Sequence, residues 1–104
     1  MGHIIIIKQK LTKTGDASST VKMTIERGGI IEVIEHNYED TNFIYPLYNS
    51  LIRTIDEMEG VHIELETNDK RFAHEIAGNP NRNSRMLEIL RNKQERQNIT
   101  IDAS

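Results

Sequence analysis

The sequence predicts a mixed α+β domain with a five-stranded sheet, and three local patterns indicate this. Ile4–Ile7 is a run of β-branched residues, which favour strands over helices. Residues 21–26 alternate apolar and polar side chains and precede Gly28-Gly29, a pair typical of a two-residue hairpin turn. Residues 41–59 carry apolar side chains three and four apart, the spacing of an amphipathic helix. A chain of 104 residues fits one domain.

Three strands are predicted first. His3–Lys8 is the first strand, and its continuous apolar run indicates burial on both faces, hence a central position. Leu11–Thr20 is rich in Thr, Ser, Gly and Asp and is predicted as a loop. Residues 21–26 then form the second strand, and Ile30–His36 returns after the glycine turn as the third.

The first helix is predicted from Thr41 to Glu59. Asp40 or Thr41 is the expected N-cap, and Gly60 is expected at the C′ position. Pro46 must lie in the first turn, because deeper in the helix it would remove a hydrogen bond and clash.

The second half of the chain continues with strands and short helices. Val61–Glu66 alternates and predicts a fourth strand, and residues 72–77 predict a short helix that stops at Gly78-Asn79-Pro80. Asn83-Ser84 is the expected cap of a further helix, and Ile99–Ile101 is a last short strand. The order is β-β-β-α-β-α-α-β: the first three strands form an antiparallel meander, and later strands return through helices, which favours parallel pairing.

Composition excludes several classes of protein. The sequence has no cysteine, which rules out a disulfide scaffold, a thiolate nucleophile and Cys-based metal sites. It contains no glycine-rich phosphate loop and no zinc-binding histidine spacing. The longest apolar run is far below the ~18 residues of a membrane span, so no membrane partner is expected. No signal peptide is evident, and we expect a cytoplasmic location.

Charge is unevenly distributed. Residues 1–69 hold six basic and twelve acidic side chains, a net charge of −6, whereas residues 70–97 have a net charge of +4. A basic C-terminal third predicts either a surface for nucleic acid or a protein partner, or a solvated helix face. The candidate binding residues of this stretch are Lys70, Arg71, Arg82, Arg85, Arg91, Lys93 and Arg96. Because the last helix loses its apolar stripe after Leu90, we expect that the fold does not need the five from Arg82 onward.

Several stretches, in this order, resemble the ribonuclease H family. T-N-F-I-Y-P-L at 41–47 is similar to the T-N-N-x-x-E-L with which that family's first helix begins. I-E-L-E-T-N-D at 63–69 resembles its fourth strand, which ends in T-D-S. Phe72-Ala73 followed by Ile76 resembles the next helix, and 83–90 resembles the later helix before the last strand. The resemblance implies a ribonuclease H fold over nearly the whole chain.

The resemblance also implies where catalytic carboxylates would lie. In that family, carboxylates hold two divalent cations that activate a water and stabilise the leaving oxygen of a phosphodiester. The strand-one position falls on about Lys8, the helix position on Pro46, and the strand-four position on Asn68 or Asp69; the fourth has no counterpart. Asp69 also suits the start of a helix, where the macrodipole stabilises an acidic side chain. The resemblance therefore implies the fold without the nuclease activity, and no cofactor is expected.

These observations predict a catalytically silent binding module, an accessory or viral-type regulatory factor that acts through a protein partner or self-association. One alternative is a nucleic-acid-binding protein that uses the basic stretch 70–97. The other is a nuclease dependent on Mg²⁺ or Mn²⁺, with a rearranged site of Asp69, Glu64 or Glu66, and Asp102. Glu64 and Glu66 share one strand face with His62, and we expect water to meet them on an uncovered face of the sheet.

Overall fold

A computed structural model describes residues 3–78 and 85–103. The elements follow the predicted order of three strands, a helix, a strand, two helices and a strand. They are β1 (His3–Lys13), β2 (Ser19–Arg27), β3 (Ile30–Tyr38), α1 (Ile44–Ile55), β4 (Val61–Thr67), α2 (Lys70–Ile76), α3 (Arg85–Gln97) and β5 (Thr100–Ala103).

The five strands form one mixed sheet in the order β3-β2-β1-β4-β5. β1 pairs antiparallel with β2 and parallel with β4, while β3 and β5 form the two edges. The isoleucine strand is central, as predicted. Gly28 and Gly29 both have positive φ, which a two-residue turn between β2 and β3 requires.

One face of the sheet is covered and the other is open. Ile5 and Ile7 on β1 lie in a buried cluster to which all three helices contribute, together with residues from β2 and β4. Ile4 points to the other face and is 59% exposed. The predicted burial of β1 on both faces is therefore wrong. A central position buries the edges of a strand, but each face is buried only where another layer packs on it.

α1 is shorter than predicted, and its caps differ. It begins at Ile44, and the side chain of Asn42 accepts hydrogen bonds from the backbone N–H groups of Ile44 (3.1 Å) and Tyr45 (2.8 Å). Asn42, rather than Asp40 or Thr41, therefore satisfies the first N–H groups. The helix ends at Ile55, so Gly60 is not its C′ residue. Gly60 has φ +65° in the turn into β4, and its N–H donates to the carbonyl oxygen of Gln97.

Half of the segment predicted as a loop over Leu11–Thr20 is strand. β1 and β2 stay paired as far as Lys13 and Ser19, and the turn occupies residues 14–18. Threonine, which we interpreted as a loop residue, is also well suited to strands. The predicted stop at Asn79-Pro80 and the predicted Asn83-Ser84 cap lie outside the described residues.

α3 is attached to α1 by polar contacts as well as by Leu90, which is fully buried. The amide Nε2 of Gln97 donates to the carbonyl oxygens of Ile55 (2.8 Å) and Asp56 (3.3 Å), and also to that of Met58. Carbonyl groups at the end of a helix have no partner within the helix. Gln97 therefore caps the end of α1 from a neighbouring element.

Candidate functional site

The positions that the resemblance assigns to catalysis lie where β1, α1 and β4 meet. The β1 side chain that faces α1 is Gln9, which is buried. Its amide Nε2 donates to the carbonyl oxygen of Leu47 (2.9 Å) and the hydroxyl oxygen of Ser50 (3.0 Å). Lys8, to which we assigned the strand-one position, lies on the open face instead. The correction follows from strand alternation, which turns neighbouring side chains to opposite faces.

The helix position carries no ligand atom. Pro46 is buried in the first turn of α1, as predicted, and that turn contains no acidic residue. Proline is tolerated there because an N–H in the first turn has no partner within the helix. Pro46 can offer neither a carboxylate nor an amide to a cation at this position.

Asn68 and Asp69 both have structural roles at the end of β4. The side chain of Asn68 pairs with the backbone of Leu11, accepting from its N–H (2.9 Å) and donating to its carbonyl oxygen (3.0 Å). Asp69 is the N-cap of α2, and its Oδ1 accepts from the N–H of Phe72 at 2.9 Å. The capping role that the sequence suggested for Asp69 is thus present in the structure.

The structure places three of the four carboxylates of the rearranged nuclease site around one depression and the fourth, Asp69, elsewhere. Glu64 on β4 is paired in register with Asp102 on β5, and both lie with Glu66 around a depression on the open face. Glu64 and Glu66 are exposed, as expected. Asp69 instead lies beside Asn42 at the start of α1, which covers the opposite face. Within residues 3–78 and 85–103, no group of three or more His, Asp or Glu side chains is placed to hold a metal ion.

Three of the predicted basic residues make contacts within the fold. Arg71 forms an ion pair with Glu75 at 3.4 Å, and Lys93 forms one with Asp56. Arg91 donates to the carbonyl oxygen of Ile76 at the end of α2. Arg91 and Lys93, for which the sequence indicated no role in the fold, thus make contacts within it. A helix that lacks an apolar stripe can still be fixed to its neighbours through charge-assisted hydrogen bonds.

The structure describes three of the other four predicted basic residues. Lys70, Arg85 and Arg96 are exposed. Arg82 lies outside the described residues.

Sequence reasoning missed a group of three lysines on the open face. Lys8 and Lys10 project from β1, and Lys22 on β2 is paired in register with Lys10. Together they line a shallow depression with Thr24 and Glu66. Like charges directly opposite each other destabilise a sheet, so this pair lowers the stability of the fold. The register of the β1–β2 hairpin would have identified this group, but the prediction of a loop over Leu11–Thr20 concealed that register.

Three ionisable side chains among the described residues have a clearly shifted pKa. Burial raises the pKa of the Tyr38 hydroxyl. A hydrogen bond and the charge of Lys93 lower the pKa of Asp56. Burial, and secondarily the charge of Arg53, lowers the pKa of His36 on β3. The Nδ1 atom of His36 is buried and has no hydrogen-bond partner within the described parts of the chain.

The open face continues toward β5 with polar contacts. The Nδ1 atom of His62 lies 2.7 Å from the hydroxyl of Thr100. His62, Glu64 and Glu66 therefore occupy one face of β4, as the alternation predicted. They adjoin the β1 lysines through the Lys8–Glu66 ion pair at 3.9 Å.

Comparisons with known proteins identify structures of similar fold. No protein-family model matches the chain, and no curated protein matches it in sequence. The chain is similar to LC11-RNase H1, isolated from compost by a metagenomic approach, in a structure with an RNA/DNA hybrid. That match has TM-score 0.76 and 13% identity, and it covers 96% of this chain and 84% of the other.

Two further structures are similar. RNase H1 from the halophilic archaeon Halobacterium salinarum matches with TM-score 0.67 and 14% identity, covering 97% of this chain and 85% of the other. The N-terminal RNase H domain of rv2228c from Mycobacterium tuberculosis matches with TM-score 0.69 and 9% identity, covering 99% and 83%. Identities this low show the fold alone.

The described residues include no helix long and apolar enough to cross a membrane. The strand order, the mixed pairing and the neighbouring structures agree with the resemblance found in the sequence. The chain therefore has a ribonuclease H-like fold.

Proposed function

We propose that this chain is a catalytically silent ribonuclease H-like binding module, an accessory factor that acts through a protein partner or a second copy. The observation that carries the proposal is Gln9. A neutral amide occupies the β1 position that faces α1, and its Nε2 is directed at a carbonyl oxygen and a hydroxyl of that helix. Cleavage by two metal ions requires carboxylates that hold both cations close together.

The neighbouring positions support the same proposal. Pro46 supplies no ligand atom from α1, and Asn68 is engaged with the backbone of Leu11. Asp69 has a carboxylate, but one of its oxygens caps α2. One carboxylate among these positions is a weak ligand set for hard divalent cations, which prefer several oxygen ligands.

The test is hydrolysis of an RNA/DNA hybrid by the full chain with Mg²⁺ or Mn²⁺. We expect no more product than in a reaction without protein. Asp69→Asn is the matched variant, because asparagine caps a helix about as well as aspartate but has no carboxylate. Metal-dependent cleavage by the parent chain that disappears in Asp69→Asn would refute the proposal and favour the nuclease alternative.

A second candidate function is nucleic-acid binding, which the group of Lys8, Lys10 and Lys22 favours. Adjacent ammonium groups attract the closely spaced phosphates of a polyanion. One structure of similar fold holds an RNA/DNA hybrid. The net charge of −3 opposes this function, because the field of the whole chain repels a polyanion.

Salt dependence distinguishes the two surfaces that could bind nucleic acid. If the open face binds, Lys10→Gln with Lys22→Gln should lower the slope of log affinity against log salt by about two units. Arg85→Gln with Arg96→Gln is the matched pair on α3, also exposed, and should then leave the slope unchanged. If instead the α3 pair lowers the slope and the lysine pair leaves it unchanged, the basic stretch 70–97 is the binding surface. Affinity weaker than ~100 μM near 150 mM salt argues against both surfaces.

A further inference from the structure

β3 is an edge strand that lacks two common protections against pairing, lysine and proline, although it carries the exposed Glu32 and Glu35. It runs regularly for nine residues, and its sequence contains neither lysine nor proline. Ile30, Ile31 and Val33 are 72%, 62% and 55% exposed. Proteins usually interrupt such an edge with charge, proline, a bulge or a covering element, because its free backbone groups can pair with another strand.

The free backbone groups of β3 can be assigned from the hairpin. Arg27 and Ile30 are paired on either side of the two-residue turn, so they form its hydrogen-bonded closing pair. Hydrogen-bonded and non-hydrogen-bonded pairs alternate along antiparallel strands. The N–H and C=O groups that point away from β2 are therefore those of Ile31, Val33, Glu35 and Asn37.

We propose that β3 pairs antiparallel with β3 of a second copy of this chain, about a two-fold axis at Ile34, to form one sheet continuous across both copies. This deepens the proposed function, because it names the partner and the surface of the binding module. A two-fold interface uses the same patch on both copies, and that patch must be complementary to itself.

The length of β3 and the positions of its charged residues determine which residues of the two copies lie opposite each other. Ile34 is the midpoint of Ile30–Tyr38, so an axis there pairs every residue of the strand. Glu32 of each copy then lies opposite His36 of the other, so each carboxylate meets an imidazole, which can donate a hydrogen bond, rather than a second carboxylate. An axis at Glu32 or Glu35 would instead place two glutamates directly opposite each other, which destabilises a sheet.

On the face of β3 that carries Ile30, Ile34 and Tyr38, the same register also brings apolar side chains together. Ile30 meets the ring of Tyr38 of the second copy, and the two Ile34 side chains meet at the axis.

A disulfide test reads the register directly, because the natural sequence has no cysteine. The two Ile34 residues form a non-hydrogen-bonded pair, whose Cβ atoms are about 4.5–5.5 Å apart, close to the spacing of a disulfide. Ile34→Cys in a glutathione redox buffer should therefore yield a covalent dimer on a non-reducing gel. Glu32→Cys, two residues along the same face, is the matched control. It should form no disulfide and should migrate as a monomer on the same non-reducing gel.

Sedimentation velocity measures whether the chain dimerises without a covalent bond. We expect the parent chain to reach twice its 12.0 kDa mass at concentrations of tens of micromolar. Val33→Pro removes an outward-facing N–H without breaking a β2 hydrogen bond, and should give a folded monomer. Ile4→Lys is the matched control, because Ile4 is similarly exposed but lies on the central strand, and it should still dimerise.

Three outcomes would overturn the β3 pairing. They are a parent chain that stays monomeric at about 200 μM, a dimer lost in Ile4→Lys but kept in Val33→Pro, and cross-linking of Glu32→Cys but not Ile34→Cys. The second would assign association to the open face. None of these experiments measures hydrolysis, so the two proposals can fail separately. If the chain is monomeric and leaves the RNA/DNA hybrid intact, only the β3 pairing is refuted. If it is dimeric and cleaves the hybrid, only the proposed catalytic silence is refuted.

Discussion

Gln9 joins the central strand to the first helix by a hydrogen bond of 2.9 Å from its Nε2 to the carbonyl oxygen of Leu47. The side chain is 3% exposed, so this bond lies in the core. Its amide nitrogen is hydrogen-bonded, as buried polar groups usually are, whereas its buried Oε1 has no hydrogen-bond partner within residues 3–78 and 85–103. The residue on which the proposed catalytic silence rests is thus also one that positions α1 on the sheet.

Replacing Gln9 with glutamate should destabilise the fold by about 2 kcal/mol or more. A buried carboxylate would face the carbonyl oxygen of Leu47, which repels it, and would lose its hydration. Urea unfolding followed by circular dichroism measures the change. Lys8→Gln, the adjacent exposed position, should change the unfolding free energy by less than about 0.5 kcal/mol. Equal effects of the two variants would contradict the assigned faces of β1.

The Tyr48 hydroxyl donates to Glu75 at 2.6 Å, and both residues are buried. Tyr48→Phe should cost about 1–3 kcal/mol, since it removes a partner from a buried carboxylate. Arg71, which pairs with Glu75 from its exposed side, offers the control. The Arg71 guanidinium is largely exposed, and water can replace its 3.4 Å contact with Glu75, so Arg71→Gln should cost less than about 1 kcal/mol in the same unfolding experiment. A larger loss of unfolding free energy in Arg71→Gln than in Tyr48→Phe would contradict this prediction.

Adjacent isoleucines on β1 should respond very differently to truncation. Ile5 is 2% exposed and Ile4 is 59% exposed. Ile5→Ala should cost about 2–5 kcal/mol through lost burial and a cavity, whereas Ile4→Ala should stay within about 0.5 kcal/mol. Thermal or urea unfolding distinguishes the two. A cost of several kcal/mol for Ile4→Ala would show that another layer covers the open face in solution.

The Asp56–Lys93 pair predicts a pH effect. The hydrogen bond and charge of Lys93 hold the pKa of the Asp56 carboxyl below 3.8, its ordinary value. A carboxyl whose pKa is lowered by folding stabilises the fold above its unfolded pKa, and this contribution disappears as pH falls through the folded value. Lys93→Gln should raise the pKa of Asp56 toward 3.8, as read by NMR titration of its side chain. An unchanged titration would show that the pair is absent in solution.

Local patterns in the sequence predicted most of the elements. The alternation over 21–26 and the glycine pair at 28–29 specify a hairpin because turn geometry and strand period are local properties. The helix ends were less predictable. Asn42 replaced the expected caps because several polar residues precede Ile44 and their competition depends on the exact path of the chain.

The candidate site was predictable in position but not in chemistry. The resemblance located it at the junction of β1, α1 and β4, yet one residue of register decided whether Lys8 or Gln9 faces α1. Such a shift exchanges the two faces of a strand. The group of Lys8, Lys10 and Lys22 depends on the same register.

The sequence by itself determined the element order, the hairpin and the central isoleucine strand, because these depend on side-chain period and backbone conformation over a few residues. Tertiary structure alone decided which face of that strand is open and which α3 side chains serve the fold. Gln97 reaches Ile55 and Lys93 reaches Asp56 across about forty residues of sequence. Contacts of that kind leave no periodic trace in the chain, since they depend on how completed elements pack against each other.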